Sequence, residues 1–256
     1  MRGTALVTIM LALAAPAAAL APAKVPADLA AAMAAPGRPK AATDLDSVRK
    51  PAEVLRFMGL KKGDRALDYF TGTGYYAELM ARAVGPKGHV VGWNSAAFAR
   101  REPVVKALAD IRSRSSNTAF YSSPSTAIAF APSSFDFALL HLVYHDAYWE
   151  SAQFGLPRID PNTVVKAIWD SLKPGGTVAV IDHVAVAGGD TRETVEKLHR
   201  IDPAVIRADF ERAGFVLEGQ SDLLRVREDD HSKNVFDPSV RGSTDRFMYR
   251  FRKPAR

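Results

Sequence analysis

The sequence predicts an α/β fold built on a mostly parallel sheet. A short apolar run, Ala66-Leu67-Asp68-Tyr69-Phe70, meets the tight turn Thr71-Gly72-Thr73-Gly74, then a helical pattern, then a second apolar run from His89 to Trp93. This is a β-α-β unit with a glycine loop at its first switch. Downstream, apolar runs of strand length keep alternating with helical periodicity, which places helices on both faces of the sheet. The last two strand-like segments have no helical pattern between them and read as an antiparallel hairpin.

Each element has a local reason. Pro51 suits the first position of a helix carrying Val54, Leu55 and Met58, and Gly59 closes it. Lys61-Lys62-Gly63-Asp64 turns the chain into the first strand. Behind the glycine loop, Tyr76, Met80, Ala83 and Val84 recur at helical spacing, with Gly85 and Pro86 as stop signals. Pro103 opens a helix with Val104, Val105, Leu108 and Ile111 on one face, and Ala119-Phe120-Tyr121 reads as a third strand. Phe135 to Leu140 is a buried fourth strand. Asp160 and Pro161 start a helix over Val164, Val165, Ile168 and Leu172; the turn Lys173-Pro174-Gly175-Gly176 leads to a fifth strand, Thr177 to Asp182. Asp202-Pro203 starts a helix ending at Gly214. Phe215 to Glu218 and Phe247 to Phe251 form the terminal pair around a long insert, Ser221 to Thr244.

With 256 residues, 47% hydrophobic and 24% charged, the chain has the composition of a globular α/β domain with appendages. The net charge of +6 is spread out and does not indicate nucleic acid. Met1-Arg2 followed by the apolar stretch Ala5 to Ala15, with small residues up to Ala21, has the pattern of a secretory signal peptide. Pro16 leaves that run too short to span a bilayer, so no stable membrane insertion of the mature chain is expected. The expected organisation is a signal peptide over 1–21, an Ala/Pro-rich tether over 22–43, in which Ala27 to Ala35 could form a short helix, and a catalytic domain over 44–256. The location is then periplasmic or secreted, or cytoplasmic if translation starts at Met33. The chain contains no cysteine, so it has neither disulfides nor a lipid-modified cysteine.

A glycine loop ahead of a helix lets backbone N–H groups approach an anion, favoured by roughly 0.3–1 kcal/mol at the helix N-terminus. Gly72, Gly74 and Ala77 also fit a dinucleotide fingerprint, so an NAD(P)-linked oxidoreductase is one alternative. Asn94 stands where the nicotinamide alternative expects an acid. The pattern around Asp68, with Gly72 and Gly74 four and six residues on, resembles motif I of the class I S-adenosylmethionine (SAM)-dependent methyltransferases. Leu172-Lys173-Pro174-Gly175-Gly176 and the late hairpin are also frequent there. Arg49 to Val54, Gly74-Tyr75-Tyr76, His199 to Asp202 and the tail from Ser221 to Phe247 are similar to a group of predicted bacterial methyltransferases, many with signal peptides.

The resemblance implies a Rossmann-like methyltransferase fold with a seven-stranded sheet, SAM as cofactor, and in-line methyl transfer to a small molecule. The cofactor's ammonium suits Asp68, and its carboxylate suits the amides of Thr71, Gly72, Thr73 and Gly74. Tyr75 or Tyr76 could face the sulfonium, and Asn94 takes the position that usually meets the ribose. For the acceptor, strand ends offer two clusters: His141, Tyr144, His145 and Asp146 after the fourth strand, and Asp182 and His183 after the fifth. His145, Asp182 and His183 are the expected catalytic or orienting groups, and His199 and Asp202 could close the site from the side. No metal is expected, since Asp229, Asp230 and His231 are adjacent and rarely converge on one ion. A second alternative is an exported, non-catalytic ligand-binding protein on the same fold. Oligomeric state has no signal in the sequence.

Overall fold

The computed structural model describes residues 25–255. The expected signal peptide, over 1–21, lies outside the described residues. The strands are β1 (Arg65–Tyr69), β2 (His89–Ser95), β3 (Thr118–Ser123), β4 (Phe135–His141), β5 (Leu172–His183), β6 (Val216–Ser221) and β7 (Arg246–Arg252). The helices are α1 (Ala27–Ala34), α2 (Lys40–Thr43), α3 (Asp46–Arg49), α4 (Pro51–Met58), α5 (Tyr75–Val84), α6 (Ala96–Ala99), α7 (Glu102–Arg114), α8 (Pro161–Ser171), α9 (Thr191–Leu198) and α10 (Pro203–Arg212). The seven strands form one sheet in the order β3-β2-β1-β4-β5-β7-β6. β1 to β5 pair in parallel and β7 runs antiparallel to both β5 and β6.

Period-two alternation along the central strands sends successive side chains into two different cores. Leu67 and Tyr69, Ala138 and Leu140, and Val178 and Val180 pack with α8 and α10 through Val164, Ile168, Ile206 and Phe210. Ala66, Phe137, Leu139, Ala179 and Ile181 face the other way, onto Val54 and Leu55 of α4 and Tyr76, Leu79 and Met80 of α5. β1 and β4 are central and buried on both faces, so their loops emerge side by side at one edge of the sheet.

The start of β5 and the helix α9 differ from the expected pattern. β5 begins at Leu172, because Leu172 pairs with Phe135 before a bulge; the Pro-Gly-Gly segment is the bulged start of the strand. Helix α9 buries only Val195, too little apolar periodicity to be read from sequence. Within the tether, α1 packs on α4 and α5 with Met33 buried, and Arg82 Nη1 donates to the Ala35 carbonyl. From residue 27 onward this stretch is docked on the domain. A start at Met33 would therefore remove most of α1. No helix among the described residues is long and apolar enough to cross a membrane.

Candidate active site

The loop after β1 is held by side chains at its own edge. Phe70 adopts a left-handed backbone (φ 54°), a costly conformation for a bulky residue, and the chain turns there toward Gly72. Thr71 Oγ1 donates to Asp68 Oδ2 at 2.6 Å. Asn94 staples the next peptide: its Oδ1 accepts from Gly72 N at 2.9 Å and its Nδ2 donates to Gly72 O at 3.0 Å. Asn94 thus stands at the end of β2, as placed from sequence, with its amide already engaged in fixing the loop.

The two glycines serve different ends. A Cβ on Gly72 would meet nothing within 4 Å, so a ligand can approach that backbone. A Cβ on Gly74 would lie 2.4 Å from Ile111 Cδ1 and 3.0 Å from Leu108 Cδ2, so Gly74 lets α7 close over the start of α5. Thr73 is exposed beside it. A cleft of about 280 Å³ adjoins Thr73, Gly74 and Tyr75, and another of about 250 Å³ adjoins Asn94 between Leu108, Phe120 and Tyr121.

Asp68 is buried, and burial raises its carboxyl to about 7 against the lowering effects of Thr71, the Ala77 N–H and Arg49. The Arg49 guanidinium stacks on the Tyr75 ring at 4.4 Å and makes no hydrogen bond among the described residues. A carboxylate and a half-buried, unpaired guanidinium beside an open glycine peptide suit the two ends of an amino-acid zwitterion. The tyrosine faces are occupied: Tyr75 lies between Arg49 and Arg38 with its hydroxyl donating to Asp46 Oδ1 at 2.6 Å. Tyr76 packs its ring on His141 at 4.6 Å. The sequence offers Arg49 only as the first residue of the Arg49 to Val54 stretch, with no role, because a basic residue ahead of a helix reads as solvated surface.

Four of the six histidines gather at the tips of β4 and β5. His145 Nδ1 lies 2.7 Å from Asp182 Oδ1, and Asp182 Oδ2 accepts from the His145 backbone N–H at 3.0 Å. Burial would lower the His145 pKa, but Asp182 and Asp146 outweigh it and raise it to about 9. Burial would raise Asp182, yet His145 and His183 keep it below the ordinary carboxylate range. The other three histidines of this cluster are pushed toward the neutral form. Burial takes His183 down to about 3 and His199 to about 4, and burial near Arg49 and Arg246 also holds His141 well below the ordinary imidazole value.

The structure therefore brings His145 and Asp182 into contact and sets the His183 ring 5.9 Å from His145, with His183 Nδ1 bonded to Thr244 Oγ1 at 2.7 Å. His199, the left-handed cap of α9 (φ 49°), packs its ring on Trp149 at 4.6 Å and Phe236 at 5.1 Å. Phe236 is 57% exposed, which for an aromatic beside a polar cluster leaves an open apolar wall. Asp202 caps α10 through the Ala204 N–H and also accepts from Gly188 N, so it has structural work at the rim. Asp229 and His231 join a separate network with Arg200, Arg225 and Asp245.

Comparisons with known proteins show the family and the fold. A family model described as a methyltransferase domain matches residues 60–229. A demethylmenaquinone methyltransferase of Listeria monocytogenes is 29% identical over 134 residues, which is 51% of this chain and 49% of the relative. A 2-phytyl-1,4-naphtoquinone methyltransferase of Synechococcus elongatus is 29% identical over 132 residues, 50% of each chain. The chain spans about half the length of the curated relatives it matches. Among solved structures, a SAM-dependent methyltransferase from Aquifex aeolicus superposes with a TM-score of 0.57 at 20% identity, over 85% of this chain and 100% of that one. One from Mesorhizobium loti gives 0.55 at 16%, over 81% and 99%. At these identities the superpositions show the fold.

Proposed function

Because the chain belongs to the class I SAM-dependent methyltransferase family, we propose that it transfers a methyl group to a hydroxylated aromatic ring of quinol type. The observation that carries this is the His145–Asp182 pair, set at the strand tips beside the β1 loop, with His199 next to His145 and packed on Trp149 and Phe236. SAM supplies, when bound, a methyl group on a sulfonium leaving group. Asp68 and Arg49 suit its ammonium and carboxylate, and the open Gly72 peptide lets it approach; Asn94 keeps that peptide in place. Neither the curated relatives nor the geometry supports the nicotinamide alternative.

The acceptor's environment follows from the charges. An imidazolium held by a buried aspartate donates a hydrogen bond to an oxygen, and so favours the oxyanion of a ring hydroxyl, the electron-rich form that attacks a methyl group. Three neutral histidines nearby add polarity without competing positive charge. The aromatic wall receives the face of a flat ring, in keeping with the quinone-type acceptors named for the relatives. Methyl transfer is a single displacement, so much of the rate comes from this positioning. The leader of Met1 to Ala21 supports export, which N-terminal sequencing of protein from its native cell tests.

Labelled SAM offered with 1,4-dihydroxynaphthalene, a primary amine and a thiol tests the acceptor class. Label is expected on the dihydroxynaphthalene alone, with Asp182→Asn reducing turnover about 100-fold or more at unchanged SAM affinity. Transfer only to the amine or thiol, or none at saturating SAM, refutes the proposal.

A further inference from the structure

From the geometry at the tips of β4 and β5 we infer that His145, Asp146 and His199 form a binding site for a divalent first-row transition metal ion, with Asp182 as the support of His145. One donor atom from each of the three residues lies within 4.8 Å of the others. His145 Nε2 and Asp146 Oδ1 are 3.4 Å apart. Two ligands held about 2.1 Å from a tetrahedral ion are also about 3.4 Å apart, so this edge of the site is already at its bound length.

The surroundings suit an ion as well as the spacing does. His145 and His199 are both buried, the His199 ring makes no hydrogen bond among the described residues, and the partly exposed Asp146 carboxylate has His145 as its side-chain partner. His145 presents Nε2 to the site because its Nδ1 is taken by Asp182, a fully buried carboxylate that also accepts the backbone N–H groups of His145 and His183. A carboxylate behind a ligating imidazole is the arrangement that orients metal-binding histidines and raises their basicity.

His199 is held in a left-handed backbone by the end of α9, a conformation costly for a histidine and found where a side chain must be aimed. Two neutral imidazoles and one carboxylate select zinc, iron or cobalt over calcium or magnesium. Three protein ligands leave positions open, and the aromatic wall of Trp149 and Phe236 stands beside them. The ion would replace the proton on His145 Nε2 as the positive centre next to an acceptor oxygen. That use rests on the proposed methyl transfer; the binding itself does not.

The test is direct titration of the metal-stripped full chain with Co²⁺, followed by its visible absorption, and with Zn²⁺ by calorimetry. Uptake of a single ion is expected. Asp146→Asn and His199→Asn, the latter keeping a residue that tolerates the left-handed backbone, should each weaken it at least 100-fold. Asp182→Asn touches no ion and acts through His145, so it should weaken uptake 10–100-fold and change the Co²⁺ spectrum, while His89→Gln leaves both unchanged. Melting curves of each variant separate loss of ligand from loss of fold. No uptake by the folded chain, or uptake that survives both ligand substitutions, overturns the inference; SAM titration of the same samples reports on methyl-donor binding independently.

Discussion

Replacing Asp68 by asparagine should push cofactor affinity and fold stability in opposite directions. Asp68 is buried at the tip of β1, and its pKa rises from 3.8 to about 7. A group whose folded pKa lies above its unfolded value makes no difference below pH 4, where both states are protonated. It destabilises the fold progressively as pH rises from about 4 to about 7, and fully above that. The full difference is about 4 kcal/mol. A carboxamide at this position is neutral at every pH, so Asp68→Asn removes that cost at pH 8 and forfeits about 1 kcal/mol for the weakened Thr71 bond. For a chain of this size the net gain is roughly 5–10 °C in melting temperature at pH 8, shrinking toward zero near pH 4. SAM binding loses a charge-assisted bond to its ammonium, about 1.5–3 kcal/mol, or roughly 10- to 150-fold in Kd. In the wild type the same affinity should fall as pH drops below 7, because Asp68 takes up a proton; in the variant it should stay flat. Calorimetric titration with SAM and melting curves from pH 4 to 8 measure both. A Kd within twofold of the wild type would refute the assignment of Asp68 to the ammonium, and a variant that melts lower at pH 8 would refute the cost of its buried charge.

Other substitutions separate scaffold from site. Gly74→Ala drives a methyl group into Ile111 and Leu108 at a left-handed φ of 84°, and should cost about 2–4 kcal/mol in denaturant unfolding. Gly72→Ala finds open space and should cost only about 1 kcal/mol, yet weaken SAM binding by crowding the ligand's approach. Asp229→Ala leaves the fully buried Arg200 without its carboxylate and should cost about 3–5 kcal/mol, read by urea unfolding. A chain starting at Met33 loses Leu29 and Ala32 from the core below α1 and should melt several degrees lower than one starting at Val25.

The sheet is legible in the sequence because each central strand is an apolar run bounded by Gly, Pro or Asp, and alternation assigns its residues to one core or the other. The hairpin is legible from the missing helical pattern between its strands. The glycine loop is legible as a loop, but its division of labour is not, since it depends on Leu108 and Ile111, more than thirty residues away in sequence. The roles of Asn94 and Tyr75 escape for the same reason: local pattern gives their position, while Gly72, Asp46 and Arg49 decide what their polar atoms and ring faces do. His145, Asp182 and His183 are reachable because strand ends in an open α/β sheet collect reacting groups. The close approach of His199 requires α9, whose polar face gives no helical signal.

The contact between Tyr75 and the segment ahead of α4 ties the amino-terminal arm to the glycine loop. Tyr75 begins the helix behind that loop, and its hydroxyl and ring are gripped by Asp46, Arg38 and Arg49. Arg38 Nη1 in turn bonds Asp46 Oδ2 at 2.7 Å. Under the proposed assignment of the loop to the methyl donor, docking of the arm and filling of the loop are expected to be linked, each changing the other by the same factor. Proteolytic clipping between residues 35 and 45 becomes a gauge of methyl-donor binding at a distance, slowing as the loop fills.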